Sequence, residues 1–259
     1  MKVGLLFPGE MGAAVGNAVR GEVLWASEGR SDATAERASG FTDVGSVAKL
    51  VASSELILSI CPPAIAEEVA QDVFGLGFEG LFVEANAITP ARTERIAELG
   101  RVVDGSIIAS SGTNLYLSGE GAEQVAELFR DSEVSAIPLG AEIGAASALK
   151  MAYGGWNKIG VALAAQAYAI ARAYGVTEWL ESEGVSAEAV PRMGGRAWRW
   201  APEMEEVADT CEELGLPDGI PRGAAELCRR WEQHRAARVE LDRLLDDLSS
   251  RAPGEAARG

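Results

Sequence analysis

The sequence predicts an α/β fold, a doubly wound parallel sheet over the first half followed by an all-helical second half. Three observations lead there. Up to Pro138, short apolar runs alternate with segments of helical periodicity, the pattern of parallel strands joined by crossover helices. A glycine-containing turn links the first apolar run to the first helical one. Beyond about Glu142 the strand-like runs cease and alanine-rich helical patterning takes over.

Taken in order, the expected strands are Val3–Phe7, Val23–Ala26, Leu56–Ile60, Leu81–Glu84, Val102–Ile108 and Leu115–Ser118, each a compact apolar run bounded by turn residues. Helices are expected at Met11–Val19, Ala33–Ala38, Ser46–Ala52, Ala64–Val73, Pro90–Leu99 and Glu120–Phe129. From Glu142 to Tyr174 the pattern is nearly unbroken, about 50 Å of helix at about 1.5 Å per residue. Four more helical segments follow, at Glu178–Glu183, Ala187–Trp200, Pro202–Leu214 and Arg222–Leu248, separated by Gly-Val, Ala-Pro and Gly-Leu-Pro-Asp-Gly breaks. The division into residues 1–140 and 141–259 follows, and the final Pro-Gly-Glu-Ala-Ala-Arg-Gly reads as a disordered tail.

Composition narrows the function. With 39 acidic against 23 basic residues, the net charge of −16 opposes binding to nucleic acid or to an anionic membrane. Three cysteines, Cys61, Cys211 and Cys228, and one histidine, His234, supply neither a disulfide framework nor a metal-ligand set. The expectation is a metal-free protein of the reducing cytoplasm. The start of the chain lacks a signal peptide's apolar region, and the apolar stretch at Ile159–Ala171 is too short and too weakly hydrophobic to span a bilayer.

The turn Phe7-Pro8-Gly9-Glu10-Met11-Gly12 has the form of a pyrophosphate site, where free N–H groups and the helix dipole face an anion. Gly9 lets phosphates approach and Gly12 lets helix and strand pack, while Phe7 stands where the first glycine of the Rossmann-type fingerprint belongs. After the second strand, Glu28 suits the 2'-hydroxyl of NAD, whereas Ser27, Arg30 and Ser31 suit the 2'-phosphate of NADP. NADP is favoured, because an arginine flanked by serines fits a plain ribose poorly. Cys61, Pro62, Pro63 and Asn86 follow the next two strands, outside the carboxyl ends where ligands bind such sheets. Cys61 reads as a packing residue, with no histidine nearby in sequence to activate it.

The Gly-Glu-Met-Gly turn, the Cys-Pro-Pro turn, Asn86–Pro90 and Gly140–Lys150 together resemble the 3-hydroxyacid and 6-phosphogluconate dehydrogenase superfamily. Arg196-Ala-Trp-Arg-Trp200 with Glu203-Met-Glu-Glu206 resembles the C-terminal domain of a phosphogluconate-dehydrogenase-like, NAD(P)-binding subgroup of undefined substrates. The resemblance implies that Lys150, on the long helix, exchanges a proton with the substrate oxygen during hydride transfer. Partial burial would lower the pKa of such a lysine toward neutrality. It also implies a homodimer and a small-molecule substrate, a hydroxy or oxo acid.

Two departures bear on that reading. Gly154 holds the place of the superfamily's asparagine, leaving Tyr153 and Asn157, three and seven residues beyond Lys150 on roughly one helix face, as substitutes. The substrate run Asp104–Thr113 lacks the aligned serine and glycine, leaving Ser110, Ser111, Gly112 and Thr113 as candidate substrate contacts. These departures keep open C=N reduction, as in related imine reductases, and a nucleotide sensor without catalysis. Trp198, Trp200, Met204 and Trp231 read as core or subunit interface, and Arg192, Arg196 and Arg199 as solvated arginines or anchors for an acidic substrate.

Overall fold

The computed structural model describes residues 1–109, 112–235 and 237–249, in two compact units, Met1–Met151 and Ala152–Gly259. The proposed tail lies outside the described residues.

The first unit alternates as its apolar pattern predicts: β1 (Lys2–Leu6), α1 (Glu10–Ala18), β2 (Glu22–Trp25), α2 (Asp32–Arg37), β3 (Thr42–Asp43), α3 (Val47–Ser53), β4 (Leu56–Ser59), α4 (Ala66–Gly75), β5 (Leu81–Glu84), α5 (Pro90–Ala97), β6 (Val102–Ala109), β7 (Thr113–Ser118), α6 (Ala122–Ala126) and β8 (Val134–Pro138). Polar caps start several helices: the side chains of Ser31, Ser46 and Thr89 accept from the N–H groups of Thr34, Lys49 and Arg92. Strand order is β3-β2-β1-β4-β5-β6-β7-β8, so the chain reverses its winding at β1 and the crevice between β1 and β4 is a topological switch point.

Several features depart from the expected pattern, among them the helical segment expected at Arg222–Leu248, which is covered by two α-helices, Gly219–Arg229 and Leu241–Ser249, rather than one. β3 and β8 were not foreseen, the first being only two residues long and the second an edge strand with one buried residue and a closing proline. β7 runs antiparallel to β6, because the chain between Ala109 and Thr113 is too short for a crossover helix. In the second unit Pro202 does not end a helix but lies inside α10. That unit contains the rest of α7 (Ala145–Ala173), then α8 (Thr177–Ser182), α9 (Val190–Gly194), α10 (Ala197–Glu213), α11 (Gly219–Arg229) and α12 (Leu241–Ser249). An interior proline costs a helix about 3 kcal/mol. Burial of Ala201, Met204, Val207 and Ala208 on one face of α10 favours continuation through it. Trp231 and Met204 are buried core, Trp198 and Trp200 are half-buried, and Arg192, Arg196 and Arg199 are exposed.

The sheet's two faces are apolar, but near the carboxyl ends a polar row crosses one of them. Register aligns Ser59 of β4 with Glu84 of β5, Glu84 with Asp104 of β6, and Asp104 with Ser118 of β7, all buried. This row receives the first turn of α7. Ala146 N–H donates to Ser118 Oγ at 3.0 Å, and Ser147 N–H donates to Asp104 Oδ2 at 2.9 Å. Ser147 Oγ donates to Asp104 Oδ1 at 2.7 Å and shares a hydrogen bond with Thr93 Oγ1, while Ser118 Oγ donates to Asp104 Oδ2. The helix is thus capped by the sheet, in trans, on N–H groups that no intrahelical carbonyl can satisfy.

Asp104→Ala strands three donors in the core, and urea unfolding should show a loss of about 3 kcal/mol or more. Ser147→Ala, which keeps the backbone cap, should lose about 1 kcal/mol. Equal losses in the two variants would contradict the capping role.

Candidate active site

At the switch point, the turn after β1 is shaped by steric limits. A Cβ on Gly12 would lie 2.7 Å from the carbonyl oxygen of Phe7, so the helix starts this close to the strand only with glycine there. A Cβ on Gly9 would meet only Phe7's carbonyl oxygen, at 3.9 Å, which leaves room above the turn. No side chain caps the first turn of α1, where Glu10, Met11 and Gly12 carry the N–H groups a helix start leaves over. A tight, uncapped and open helix start fits a pyrophosphate. Pro8 is buried, Met11 half-buried and Glu10 exposed.

Phe7 has a left-handed backbone, with φ 58°, at about 1–2 kcal/mol for a side chain-bearing residue. Arg30 reaches over it, its guanidinium carbon 3.9 Å from the ring centroid. Burial holds the Arg30 pKa below the usual guanidinium value, and its Nε has no hydrogen-bond partner among the described residues. Ser31 is committed to capping α2, whereas Ser27 N–H donates to Asp43 Oδ1 and Glu28 N–H to the Gly45 carbonyl. Asp43, held below the usual carboxylate range by Ser27 first and Gly45 next, thereby fixes the loop that presents Arg30.

Across the crevice, Asn86 ties the ends of β4 and β5 together. Its Oδ1 accepts from Cys61 N–H at 2.6 Å, while Nδ2 donates to Ser59 Oγ, Cys61 Sγ and Glu84 Oε1. The amide is therefore turned inward, and its work is to set the Cys61–Pro63 turn. Pro63 opens a 3-10 turn, and its carbonyl accepts from Arg92 Nη2 at 2.9 Å. Burial first, then Glu84, pushes the Cys61 thiol up to about 12, the state of an unreactive packing cysteine.

Glu84 is buried beside Asp104, and its Oε2 has no hydrogen-bond partner among the described residues. Burial pushes its pKa up to about 8, Asn86's hydrogen bonds oppose the shift and the Asp104 charge adds to it. Asp104 is raised as well, again by burial first. Two adjoining buried acids cannot both ionise cheaply, so Glu84 holds its proton at neutral pH.

Lys150, one turn beyond the capped residues, is half-buried and donates from Nζ to the Ile107 carbonyl of β6 at 2.9 Å. The run expected as a substrate loop is strand as far as Ala109; Gly112 is exposed, Thr113 begins β7 half-buried, and Ser110 and Ser111 lie outside the described residues. In the second unit Tyr153 is half-buried and Asn157 exposed. Gly154 and Gly155 are small because α10 passes beside them: a Cβ on either would meet Glu203 Oε1 at 2.9 Å or Val207 Cγ1 at 3.1 Å. Lys158 Nζ donates to the same Glu203 oxygen at 2.7 Å, so the space at Gly154 is occupied by an ion pair rather than left for a ligand.

Sequence reasoning missed three contributors. Arg37 Nε donates to the Pro8 carbonyl, bringing a second cation to the turn. Glu84 was read only as a strand end, and the Asp104–Ser147 cap was not read at all. Carboxylates closing the apolar runs Leu-Phe-Val-Glu and Val-Val-Asp were the available signal. Among the described residues no His, Cys, Asp and Glu cluster could hold a metal ion, and no helix is long and apolar enough to cross a membrane.

The Glu84 shift fixes the sign of a pH effect. Its folded pKa of about 8 exceeds its ordinary value of 4.5, so between them the folded state binds more protons than the unfolded state. Stability from Glu84 is then fully present below 4.5 and is lost as pH rises through about 8. Each pKa unit is worth about 1.4 kcal/mol. Melting temperature should fall from pH 5 to pH 9 in the wild type, and Glu84→Gln should flatten the slope. A wild-type profile without that fall would exclude a protonated Glu84.

Residues 171–231 match a domain of unknown function, DUF1932. No curated protein matches the chain. The solved structures it is similar to include that of MTH1747, a conserved protein of unknown function described as structurally similar to 3-hydroxyacid dehydrogenases, at 25% identity and TM-score 0.69 over 90% of this chain and 99% of that one. Similar too are 3-hydroxyisobutyrate dehydrogenase of Mycobacterium tuberculosis with L-serine (14% identity, TM-score 0.71, 96% and 99% covered) and Psf3 with NADP+ and 2-OPP (14%, 0.66, 95% and 99%). The chain has the fold of these 3-hydroxyacid dehydrogenase-like structures.

Proposed function

We propose that this protein is an NADP-dependent oxidoreductase acting on a small hydroxy or oxo acid or a related carbonyl compound. The observation that carries this reading is Lys150, held on β6 by its bond to the Ile107 carbonyl in the unit whose β1–α1 turn is open and uncapped. The bound nicotinamide would supply or accept the hydride. The helix start at Glu10–Gly12 would hold the pyrophosphate, with Gly9 leaving space for it. Arg30, with Ser27 beside it, would meet the 2'-phosphate, and Cys61–Pro63, set by Asn86, would border the nicotinamide half. Lys150 would pass a proton to or from the substrate oxygen, with Tyr153 and Asn157 as further polar groups on the same helix. Ser110, Ser111, Gly112 and Thr113 would contact the substrate's polar end.

The working form is proposed to be a homodimer. On α7, Trp156, Leu163 and Ile170 recur every seven residues at 84%, 62% and 59% exposure, and Tyr174 extends the stripe at 81%. An apolar stripe of this extent suits a second copy. Size measurement by light scattering should give a dimer that Leu163→Glu converts to monomer; a monomeric wild type would overturn the assignment.

Calorimetric titration with NADPH and NADH tests the nucleotide site. Arg30→Ala should weaken NADPH by about tenfold or more, a charge-assisted contact being worth about 1.5–3 kcal/mol, and leave NADH nearly unchanged. On a panel of 3-hydroxy acids, Lys150→Met should lower turnover by about a hundredfold or more without changing NADPH binding. Failure of both nucleotides to bind at millimolar concentration would end the reading. Binding without turnover across the panel would end its catalytic half.

A further inference from the structure

Phe7 carries a side chain where the turn's backbone conformation calls for none. At φ 58° glycine is unstrained and phenylalanine is not, so the retained ring points to a task. From below, the ring packs on the core that holds Leu6, Leu24 and Ala26, which fixes its plane. From above, Arg30 lies on its face, 3.9 Å from centroid to guanidinium carbon. The arginine is half-buried there, and its Nε makes no hydrogen bond among the described residues.

We propose that Phe7 is a specificity-determining residue for the nucleotide: its ring is the platform that holds Arg30 ready for a 2'-phosphate, so the preference for NADP over NAD depends on both residues. The inference rests on reading the β1–α1 turn as the nucleotide site. Three physical consequences of the stack support it. A guanidinium already confined on the ring loses less rotamer freedom when it pairs with a phosphate. Partial withdrawal from water strengthens its attraction for a doubly charged group. Its Nε has no partner among the described residues, and Oδ1 of the loop's anchoring carboxylate, Asp43, is already taken by the N–H groups of Ser27 and Gly45.

The test is a titration of the full chain with NADPH and NADH by calorimetry, in the wild type, Phe7→Gly, Phe7→Leu, Phe7→Tyr, Arg30→Ala and the double variant Phe7→Gly/Arg30→Ala. Phe7→Gly relieves the backbone and Phe7→Leu keeps apolar bulk without a π face, so a folded variant lacking the platform is at hand either way. Both should lower the NADPH-to-NADH affinity ratio about fivefold or more, chiefly by weakening NADPH, and Phe7→Tyr should keep the wild-type ratio. In the Arg30→Ala background, removing the ring should change the ratio by less than about twofold, because the platform has nothing left to hold. An effect of the turn's shape alone would persist in that background and would overturn the proposal, as would an unchanged ratio in both Phe7→Gly and Phe7→Leu. Wild type binding both nucleotides equally would overturn it while leaving the nucleotide site standing. Wild type binding neither would remove both.

Discussion

A carboxylate buried in an apolar sheet must find donors or keep its proton, and that constraint organises the first unit of this protein. Asp104 and Glu84 are neighbours across β6 and β5, and they meet it in opposite ways. Asp104 takes donors from Ser118 and from both the backbone and the hydroxyl of Ser147. Among the described residues Glu84 accepts only from Asn86, and with its pKa pushed up to about 8 it stays protonated at neutral pH. Because Asp104's donors belong to the first turn of α7 and to β7, satisfying this one side chain fixes where the long helix begins. Lys150 is then placed by geometry: three residues after Ser147, it lies one turn along and reaches the Ile107 carbonyl, three residues after Asp104 on the strand.

The same row governs the other side of the crevice. Glu84 receives the Asn86 amide, Asn86 accepts from Cys61 N–H, and the Cys-Pro-Pro turn takes its course from that bond. A charged Glu84 would draw harder on Asn86 while paying for desolvation, so the neutral form is the one compatible with a settled turn. Arg92, which lowers the Glu84 pKa from a distance, also donates to the Pro63 carbonyl. One buried polar network therefore shapes the turn after β4, the end of β5 and the start of α7.

How much of this was legible in the sequence depended on whether the cause was local. The β1–α1 turn and the alternation of strand and helix were readable because Gly9, Gly12 and the apolar periods lie next to one another in the chain. The trans cap was not, since Asp104, Ser118 and Ser147 are brought together only by sheet register. Gly154 read as a missing asparagine, and it is a gap filled by Glu203, a residue distant in sequence. Pro202 read as a helix end for the same reason: its local preference was visible, but the buried face of α10 that outweighs it was not. Phe7 was recognised as out of place, while the reason for its survival, Arg30 lying on its ring, required the loop between β2 and α2.

A chain of net charge −16 binding an anion as strongly charged as a dinucleotide phosphate would meet long-range repulsion, yet the proposed reading does not conflict with that charge. At physiological salt the field of distant carboxylates decays over about 8 Å, so groups within a turn or two of the ligand decide its energy. Those groups are the N-terminal end of α1, Arg30 on Phe7, and Arg37 against the Pro8 carbonyl. Glu10, in the first turn of α1, and Glu28, in the adjoining loop, oppose them. The helix start favours any phosphate, whichever nucleotide bears it. Discrimination between the two nicotinamide nucleotides therefore has to come from the side chains near the ribose, where a single guanidinium held in place outweighs a net charge spread over the whole surface.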